Sequence, residues 1–198
     1  MTKLKIIVAS TRPGRVGLSI GGWIEAEAAA HGGFSEIELV DLREVNLPFM
    51  NEPNHPRLGQ YTHQHTRDWS AKVAEAEAFV FVMPEYNYGY NAELKNAIDY
   101  LYQEWRYKPV GLVSYGGVAA GTRAAQMIKQ VVTALKMAPV VEAVALPFVR
   151  QFLDDDGNVV PNDVMSVSAK AMFGELIRVS GALRRLRQVA TAVSIGGG

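Results

Sequence analysis

An apolar run that ends in a polar, aromatic turn constrains the fold of this sequence more than any other feature. Six consecutive apolar residues, 78–83, are followed by Pro-Glu-Tyr-Asn at 84–87 and by a helix-like segment at 91–105. An unbroken apolar run of this length is typical of a strand with both faces covered, as in parallel sheets. In open α/β sheets, ligands bind at the carboxyl ends of the strands. The pattern therefore predicts such a sheet, with 84–87 at a ligand site.

The same strand-to-loop transition recurs at 4–9 and at 109–113, and the intervening segments have helical character. Alternating strands and helices predict a parallel sheet with right-handed crossovers. We therefore expect the α/β class: a doubly wound, five-stranded parallel sheet of flavodoxin type with helices on both faces. Residues 1–190 form one domain in this interpretation, and 191–198 form a flexible tail. The predicted strands are 4–9, 36–41, 78–83, 109–114 and 140–146, the predicted helices are 17–31, 61–77, 91–105, 121–137 and 162–187, and 43–60 is a long loop.

Composition narrows the classes of protein to consider. Twenty Lys and Arg balance twenty Asp and Glu, so no net field favours nucleic acid or an anionic membrane. Cysteine is absent, which excludes disulfides, iron–sulfur ligation and a thiol nucleophile. No apolar stretch approaches the roughly 20 residues of a membrane span. The first apolar run, interrupted by Lys5, is too short for a signal peptide. We expect a soluble, cytoplasmic protein.

The loop after the first strand has the chemistry of a phosphate site. Unpaired amides at a helix N-terminus attract phosphate, and arginine adds a bidentate donor. The alternative is a loop whose serine caps the helix and whose arginines are solvated. The loop is neither a P-loop nor a dinucleotide fingerprint, because the residues that define those motifs are missing. The candidate residues are Ser10, Thr11, Arg12, Arg15, Val16 and Gly17.

The two later loops suit a flat ring. Tyr86, Tyr88 and Tyr90 lie close together, with Asn87 and Asn91 as amide donors and acceptors. A heterocycle needs an aromatic wall with a few directed hydrogen bonds. A tyrosine-rich surface or subunit interface is the alternative. The third loop, 114–121, offers the backbone amides of a Gly-Gly turn to an imide edge, or else is an ordinary helix-capping turn. Together the three loops predict a pocket for a phosphorylated, flat, aromatic ligand.

In this order and spacing, the Ser-Thr-Arg loop, the Pro-Glu-Tyr-Asn turn with Leu-Lys-Asn-Ala-Ile-Asp at 94–99, and the Ser-Tyr-Gly-Gly loop resemble the NADPH-dependent FMN reductases. This flavodoxin-like family includes quinone, azo-dye and chromate reductases. The resemblance covers about the first 145 residues. Family members often have Pro-Gly or Pro-Ala before Leu-Lys-Asn, where this chain has Asn91-Ala92-Glu93.

The resemblance implies a set of cofactor-binding residues. The first loop would hold the FMN phosphate, with Ser10, Arg12 and Arg15 as its principal side chains; the alternative is that one of the two arginines serves the 2′-phosphate of NADPH. The second loop would line the ribityl chain and isoalloxazine, and the third would meet the pyrimidine edge. The predicted set is Ser10, Thr11, Arg12, Arg15, Val16, Gly17, Pro84, Glu85, Tyr86, Asn87, Tyr88, Ser114, Tyr115, Gly116 and Gly117.

The implied activity is transfer of hydride from NADPH or NADH, through bound FMN, to quinones, free flavin or similar small acceptors. No catalytic side chain is assigned, because the flavin supplies the redox chemistry. The alternative function is a flavodoxin-type electron carrier that oxidises no nicotinamide. Such carriers are usually acidic on one face, whereas this chain is formally neutral. A flavin-free regulatory protein on the same fold is a third possibility.

Two other motifs each suggest a different function but lack the residues that it needs. Ser114 resembles a hydrolase nucleophile, but that triad order requires a later histidine and all four histidines precede it. His63 and His65 suggest a metal pair, yet no full ligand set accompanies them, so we predict solvated side chains and no metal site.

A cluster of aromatic side chains near 90–107 predicts self-association. It is more aromatic surface than one sheet face covers, and large exposed apolar patches usually mark contacts. We therefore expect a homodimer or homotetramer with the helix after Asn91 in the interface, as the resemblance also implies. The alternative is that these rings complete the core of the monomer. The cluster comprises Tyr90, Tyr100, Leu101, Tyr102, Trp105 and Tyr107.

Overall fold

The sheet has five strands, all parallel, in the order β2-β1-β3-β4-β5. The computed structural model describes residues 2–195, and side chains through residue 188. Helices cover both faces of the sheet, which confirms the predicted α/β class and the flavodoxin-like architecture. The strands are β1 (Thr2–Val8), β2 (Phe34–Asp41), β3 (Ala78–Pro84), β4 (Pro109–Tyr115) and β5 (Ala138–Leu146).

Six α-helices connect or follow these strands in the described part of the chain. They are α1 (Gly17–His31), the single-turn α2 (Leu42–Val45), α3 (Gln64–Ala74), α4 (Ala92–Asp99), α5 (Thr122–Ala134) and α6 (Asp163–Ile195). Short 3₁₀ turns lie at Pro56–Leu58, Gln103–Trp105 and Val149–Phe152. None of the helices within residues 2–195 combines the length and the apolar composition needed to cross a bilayer.

Two apolar clusters, one on each face, sandwich the sheet. Strand β3 is buried along its whole length, with Phe79 and Phe81 in one cluster and Val80 and Val82 in the other. Residues from α3, α4 and α5 complete the first cluster, and residues from α1 and α6 complete the second. Burial on both faces explains why β3 is an unbroken apolar run, whereas the edge strand β2 alternates apolar residues with Glu36 and Glu38.

Several element boundaries differ from prediction. The segment predicted as a helix at 91–105 is α-helical only to Asp99, and the side chain of Trp105 then turns back to donate its indole N–H to the carbonyl oxygen of Ile98 (3.1 Å). Helix α3 is shorter than the predicted 61–77, and the predicted loop 43–60 carries α2 and a 3₁₀ turn. Helix α6 extends through Ile195, into the segment predicted as a tail; 196–198 lie outside the described residues.

The aromatic cluster near 90–107 is largely internal. Tyr100, Leu101 and Trp105 are buried in the chain's own core, and the Tyr100 hydroxyl donates to the carbonyl oxygen of Pro48 (3.1 Å). The rings of Trp105 and Phe79 lie 5.0 Å apart. These contacts favour the alternative in which the rings complete the monomer core, so these three residues do not support an interface.

Candidate functional site

Three loops meet at the carboxyl edge of the sheet because their strands are neighbours. The amide of Ala9 donates to Val82 just beyond β1, and the amide of Glu85 donates to Tyr115 just beyond β3 (2.9 and 3.0 Å). These bonds bring the loop 9–17 beside the loop 85–91, and that loop beside 116–121. The sequence-predicted site residues therefore gather at one edge of the sheet.

The first loop exposes a row of unused amides. The first backbone hydrogen bond of helix α1 runs from the amide of Ile20 to the carbonyl oxygen of Val16 (3.2 Å). Within the described residues, no hydrogen bond uses the backbone amides of 11–19 (Pro13 has none). Unpaired amides at the start of a 15-residue helix, with the helix dipole behind them, form a site for an anion.

The two arginines of this loop have different environments. The guanidinium of Arg15 forms a bidentate ion pair with Asp41 and also donates to the carbonyl oxygen of Ser10 (2.5 Å). The two side chains are only 7% and 12% exposed. Burial alone would raise the pKa of the Asp41 carboxyl, but the bonds from Arg15 outweigh it and hold the pKa below its usual value. The exposed Arg12 bonds only to the adjacent Pro13 carbonyl (3.4 Å), so this geometry favours Arg12 over Arg15 as the phosphate ligand.

A buried polar cradle lies behind the amides. The hydroxyl oxygens of Ser10 and Tyr115 are both buried; Ser10 lies close enough to Tyr115 to oppose the rise in its pKa, but neither hydroxyl makes a hydrogen bond of normal geometry with any described residue. A Cβ on Gly17 would lie 2.3 Å from the Ser10 Oγ and 2.6 Å from the Tyr115 Oη, so alanine there would displace one or both hydroxyls. Burial raises the pKa of Tyr115 to about 12, which keeps its hydroxyl protonated. Buried orphan hydroxyls are rare in proteins unless a ligand or water satisfies them.

The second loop is a tight hairpin turn. Tyr86 and Gly89 exchange backbone hydrogen bonds (2.8 and 3.0 Å), while Asn87 and Tyr88 both have positive φ (48° and 73°). Two positive-φ residues at the centre define a type I′ turn, which is strained for a tyrosine. The ring of Tyr88 is 67% exposed and stacks on the Arg123 guanidinium, 3.9 Å away.

Glu85 joins the second loop to the third. Its carboxylate pairs with the Arg123 side chain (2.7 Å) and accepts the backbone amide of Arg123 (3.2 Å) in the first turn of α5. Pro84 pairs with Tyr115 as the last residue of β3. Thus Glu85 caps a neighbouring helix, and its role is to position the two loops.

The third loop is held closed from inside. The Ser114 hydroxyl donates to the carbonyl oxygen of Ala120 (2.9 Å), and the Gly116 amide donates to Leu146 (3.2 Å). Gly121 has a φ of 77°, and a Cβ there would lie 2.6 Å from the Tyr115 nitrogen. No bond within the described residues uses the amides from Gly117 to Ala119. These amides suit the edge of a ring better than Ser114, whose hydroxyl is already bonded to Ala120.

Glu93 is a site residue that the sequence analysis did not place, and Asn91 is one that it named only as an amide of the second loop. The Asn91 amide group donates to the carbonyl oxygen of Ala9 (2.7 Å) and to Glu93 (2.8 Å), and its own Oδ1 is buried without a partner. The Thr11 hydroxyl donates to Glu93 (2.8 Å). Burial raises the pKa of Glu93, but these hydrogen bonds outweigh it and keep the pKa below its usual value. In the sequence, these two residues could have been singled out because they stand where family members often have Pro-Gly or Pro-Ala.

The histidines that suggested a metal pair have protein partners instead. Rings of His63 and His65 stack with centroids 5.2 Å apart, and both contact Asn51 through hydrogen bonds of 3.2 and 3.1 Å. The described residues contain no group of three or more His, Cys, Asp or Glu side chains arranged to hold a metal.

The donor set at the sheet edge fits FMN. Unused amides and Arg12 suit its phosphate, the orphan hydroxyls suit polar atoms behind it, and the third-loop amides suit a ring edge. Comparison with known proteins agrees with this chemistry. Residues 2–151 match the family of NADPH-dependent FMN reductases.

Individual relatives give the same result. An NAD(P)H-dependent FMN reductase of Schizosaccharomyces pombe is 43% identical over 149 residues, 73% of this chain and 74% of that protein. The NAD(P)H-dependent FMN reductase of Saccharomyces cerevisiae is 37% identical over 145 residues, 68% and 75% of the two chains.

A flavoenzyme NAD(P)H:(acceptor) oxidoreductase from Paracoccus denitrificans shares the fold, with a TM-score of 0.73 at 17% identity over 92% of this chain and 98% of that one. The match over residues 2–151 and the two yeast relatives confirm the resemblance drawn from the three loops. This chain is a member of the NADPH-dependent FMN reductase family, enzymes that use FMN and NAD(P)H.

Proposed function

We propose that this chain holds one FMN along the carboxyl edge of its sheet and uses it to transfer hydride from NADPH or NADH to a quinone, a free flavin or a similar small acceptor. The observation that carries the assignment of the site is the row of unused amides at 11–19 beside two buried, unpartnered hydroxyls. When bound, FMN supplies the redox chemistry, and the protein supplies orientation and electrostatics.

At the phosphate end, the amides of the first loop and the guanidinium of Arg12 bind the dianion. The Ser10 and Tyr115 hydroxyls donate from behind, because the Tyr115 pKa of about 12 keeps its proton in place at physiological pH. Arg15 and Asp41 keep the loop in shape from inside the protein. No side chain at this end needs to exchange a proton during turnover.

At the ring end, the type I′ turn and the amides from Gly117 to Ala119 orient the isoalloxazine. Glu85 keeps these two loops at a constant separation through its bonds to Arg123. The rim is apolar and open, with Tyr88, Val118 and Phe148 all exposed. Such a rim excludes water from one side of a flat substrate while leaving room for exchange of nicotinamide and acceptor.

The acceptor class is supported by what related proteins are called. An NAD(P)H:quinone oxidoreductase of Solanum tuberosum is 36% identical over 99 residues, 48% of this chain and 49% of that protein. An FMN-dependent NADPH-azoreductase of Staphylococcus saprophyticus is 24% identical over 174 residues, 87% and 92% of the two chains. Both names denote flat, conjugated acceptors, which match the apolar rim.

The test is anaerobic reduction of the reconstituted protein. We expect one FMN per chain, loss of flavin absorbance on adding NADPH or NADH, and recovery on adding benzoquinone. A flavin that is reduced by dithionite but by neither nicotinamide would identify an electron carrier. If the reconstituted protein retains no flavin, the assignment of an FMN site is refuted.

We also propose a cytoplasmic homodimer or homotetramer. The aromatic residues that first suggested an interface are mostly internal, so the proposal now rests on the exposed apolar rim with Met127 beside it. Such patches commonly mark subunit contacts. Sedimentation of the FMN-loaded protein at micromolar concentration tests this, and a fully active monomer would refute it. Cell fractionation tests the location.

A further inference from the structure

A second cleft lies beside the phosphate loop, on the side away from the flavin rim. It has a volume of about 470 Å³ and lies between the segment 42–49 after β2, the residue Thr11 after β1, and helix α4. Thr11 lines it and also belongs to the phosphate loop, so the cleft begins where the FMN site ends. The lining residues used below are Thr11, Arg43, Phe49, Glu93 and Asn96.

The order of the strands relates this cleft to the flavin. The ring loops follow β3 and β4, whereas the cleft lies at the ends of β2 and β1. The end of β2 lies two to three strand spacings, roughly 10–14 Å, from the ends of β3 and β4, and the end of β1 lies one to two spacings from them, roughly 5–10 Å. A dinucleotide whose nicotinamide contacts the flavin rim, and which runs along the sheet edge past the phosphate loop, reaches the cleft with its other end.

One wall of the cleft is an exposed aromatic ring whose backbone is held by hydrogen bonds. The side chain of Phe49 is 84% exposed, yet its backbone is immobilised on both sides. Asn96 donates to the carbonyl oxygen of Pro48 (2.7 Å) and accepts the amide of Met50 (3.0 Å), and the Tyr100 hydroxyl lies 3.2 Å from the carbonyl oxygen of Phe49. An exposed ring on an immobile backbone is preorganised for stacking against a flat base.

The charges in the cleft select where a phosphate binds. Glu93 is ionised, because its pKa is held below its usual value, and it faces Thr11. Its charge disfavours phosphate at that end. Arg43 lies on the opposite, β2 side and is exposed, whereas Arg15 is occupied by Asp41. A guanidinium binds phosphate through paired N–H donors, and arginine accommodates the 2′-phosphate in NADP-binding sites.

We propose that this cleft binds the adenosine 2′-phosphate end of NADPH, with Phe49 against the adenine and Arg43 on the 2′-phosphate. The proposal rests on the NAD(P)H oxidation proposed above and adds the residues that distinguish NADPH from NADH. It makes Arg43 a specificity residue and Phe49 a binding residue common to both nucleotides.

The test uses the FMN-loaded protein and calorimetric titration with 2′,5′-ADP and 5′-ADP. We expect wild type to prefer 2′,5′-ADP. Arg43→Ala should weaken 2′,5′-ADP about tenfold or more and leave 5′-ADP unchanged. Phe49→Ala should weaken both ligands several-fold. Arg57→Ala, which removes an exposed arginine of the same long loop that stacks on Tyr102, is the matched control and should change neither.

Steady-state kinetics gives a second readout. Arg43→Ala should raise the KM for NADPH but not for NADH, with kcat and FMN content unchanged. If wild type has no preference for 2′,5′-ADP, or if Arg43→Ala and Arg57→Ala behave alike, the proposal is overturned while the reductase function stands. Loss of a dimer in Phe49→Ala with unchanged nucleotide affinity would also overturn it, and would assign Phe49 to an interface. Failure of wild type to oxidise either nucleotide would instead refute the proposed function.

Discussion

The buried ion pair between Arg15 and Asp41 predicts that Arg15 acts on stability and Arg12 acts on phosphate selectivity. Removing one partner of a buried pair costs about 3–5 kcal/mol, since it leaves the other charge without compensation. Both side chains are at least partly screened, at 7% and 12% exposure, so we take the lower end, about 3 kcal/mol. For a chain of this size that lowers the urea midpoint by about 1–2 M.

The assay is urea unfolding of the FMN-free protein, in which ligand binding cannot add to stability. Arg15→Met and Asp41→Asn should each lower the unfolding free energy by about 3 kcal/mol. The double variant should cost less than the sum of the two, because no buried charge is left unpaired. At pH 3 the effect of Asp41→Asn should shrink. The Asp41 pKa is lowered by folding, so its contribution is present above the unfolded pKa and is lost as pH falls through the folded one.

Ligand selectivity completes the experiment. Arg15→Met should weaken FMN and riboflavin by similar factors, because it distorts the loop for both. Arg12→Ala should weaken FMN about tenfold or more and riboflavin little, since only FMN carries the phosphate that it contacts. The reasoning is refuted if Arg15→Met leaves the FMN-free protein as stable as wild type and selectively weakens FMN.

Two further predictions concern a buried lysine and a close-packed glycine. Lys108 is 6% exposed and donates to the carbonyl oxygens of Val73 and Ala74, and burial lowers its pKa to about 7. Between that value and its ordinary pKa of 10.5 the unfolded chain binds the extra proton, so stability should rise by up to about 2 kcal/mol from pH 7 to 9. Lys108→Met should abolish this slope in urea unfolding, and equal slopes would contradict the argument. Gly17→Ala should weaken FMN at least tenfold in a fluorescence titration, whereas Gly22→Ala, whose Cβ meets nothing within 4 Å, should bind normally and be more stable by about 0.5–1 kcal/mol.

The sheet was predictable because its central strands β3 and β4 are mostly apolar runs bounded by polar turns, and because the outer strands β2 and β5 keep apolar residues around Glu36, Glu38 and Glu142. The helix at 91–105 was wrong beyond Asp99, since the apolar side chains of Leu101 and Trp105 continue a helical pattern although their backbone is not an α-helix. Local periodicity reports which side chains are buried. It does not show that the indole N–H of Trp105 donates to the carbonyl oxygen of Ile98 near the end of the helix, because that contact depends on how the chain folds back.

The site was predictable as a set of loops but less so as a set of roles. Sequence places Arg12 and Arg15 in the same loop with equal claims to a phosphate. The distinction depends on Asp41, which is distant in sequence and becomes a neighbour only because β1 and β2 pair in parallel. Likewise, the unusual Asn91 and Glu93 stood out by comparison with the family, but their bonds to the first loop require the folded edge.

Asp41 accepts a second hydrogen bond, so that one side chain anchors two separate segments. The same Oδ1 that pairs with Arg15 accepts the backbone amide of Arg43 (3.0 Å) and so begins α2. One carboxylate thus anchors the phosphate loop on one side and the segment bearing Arg43 and Phe49 on the other. The segment 43–49 beyond that anchor should then be exchangeable without disturbing the flavin loop. Coenzyme preference in this scaffold should therefore be transferable by grafting 43–49 alone, and a graft that also replaces Asp41 should lose the flavin with it.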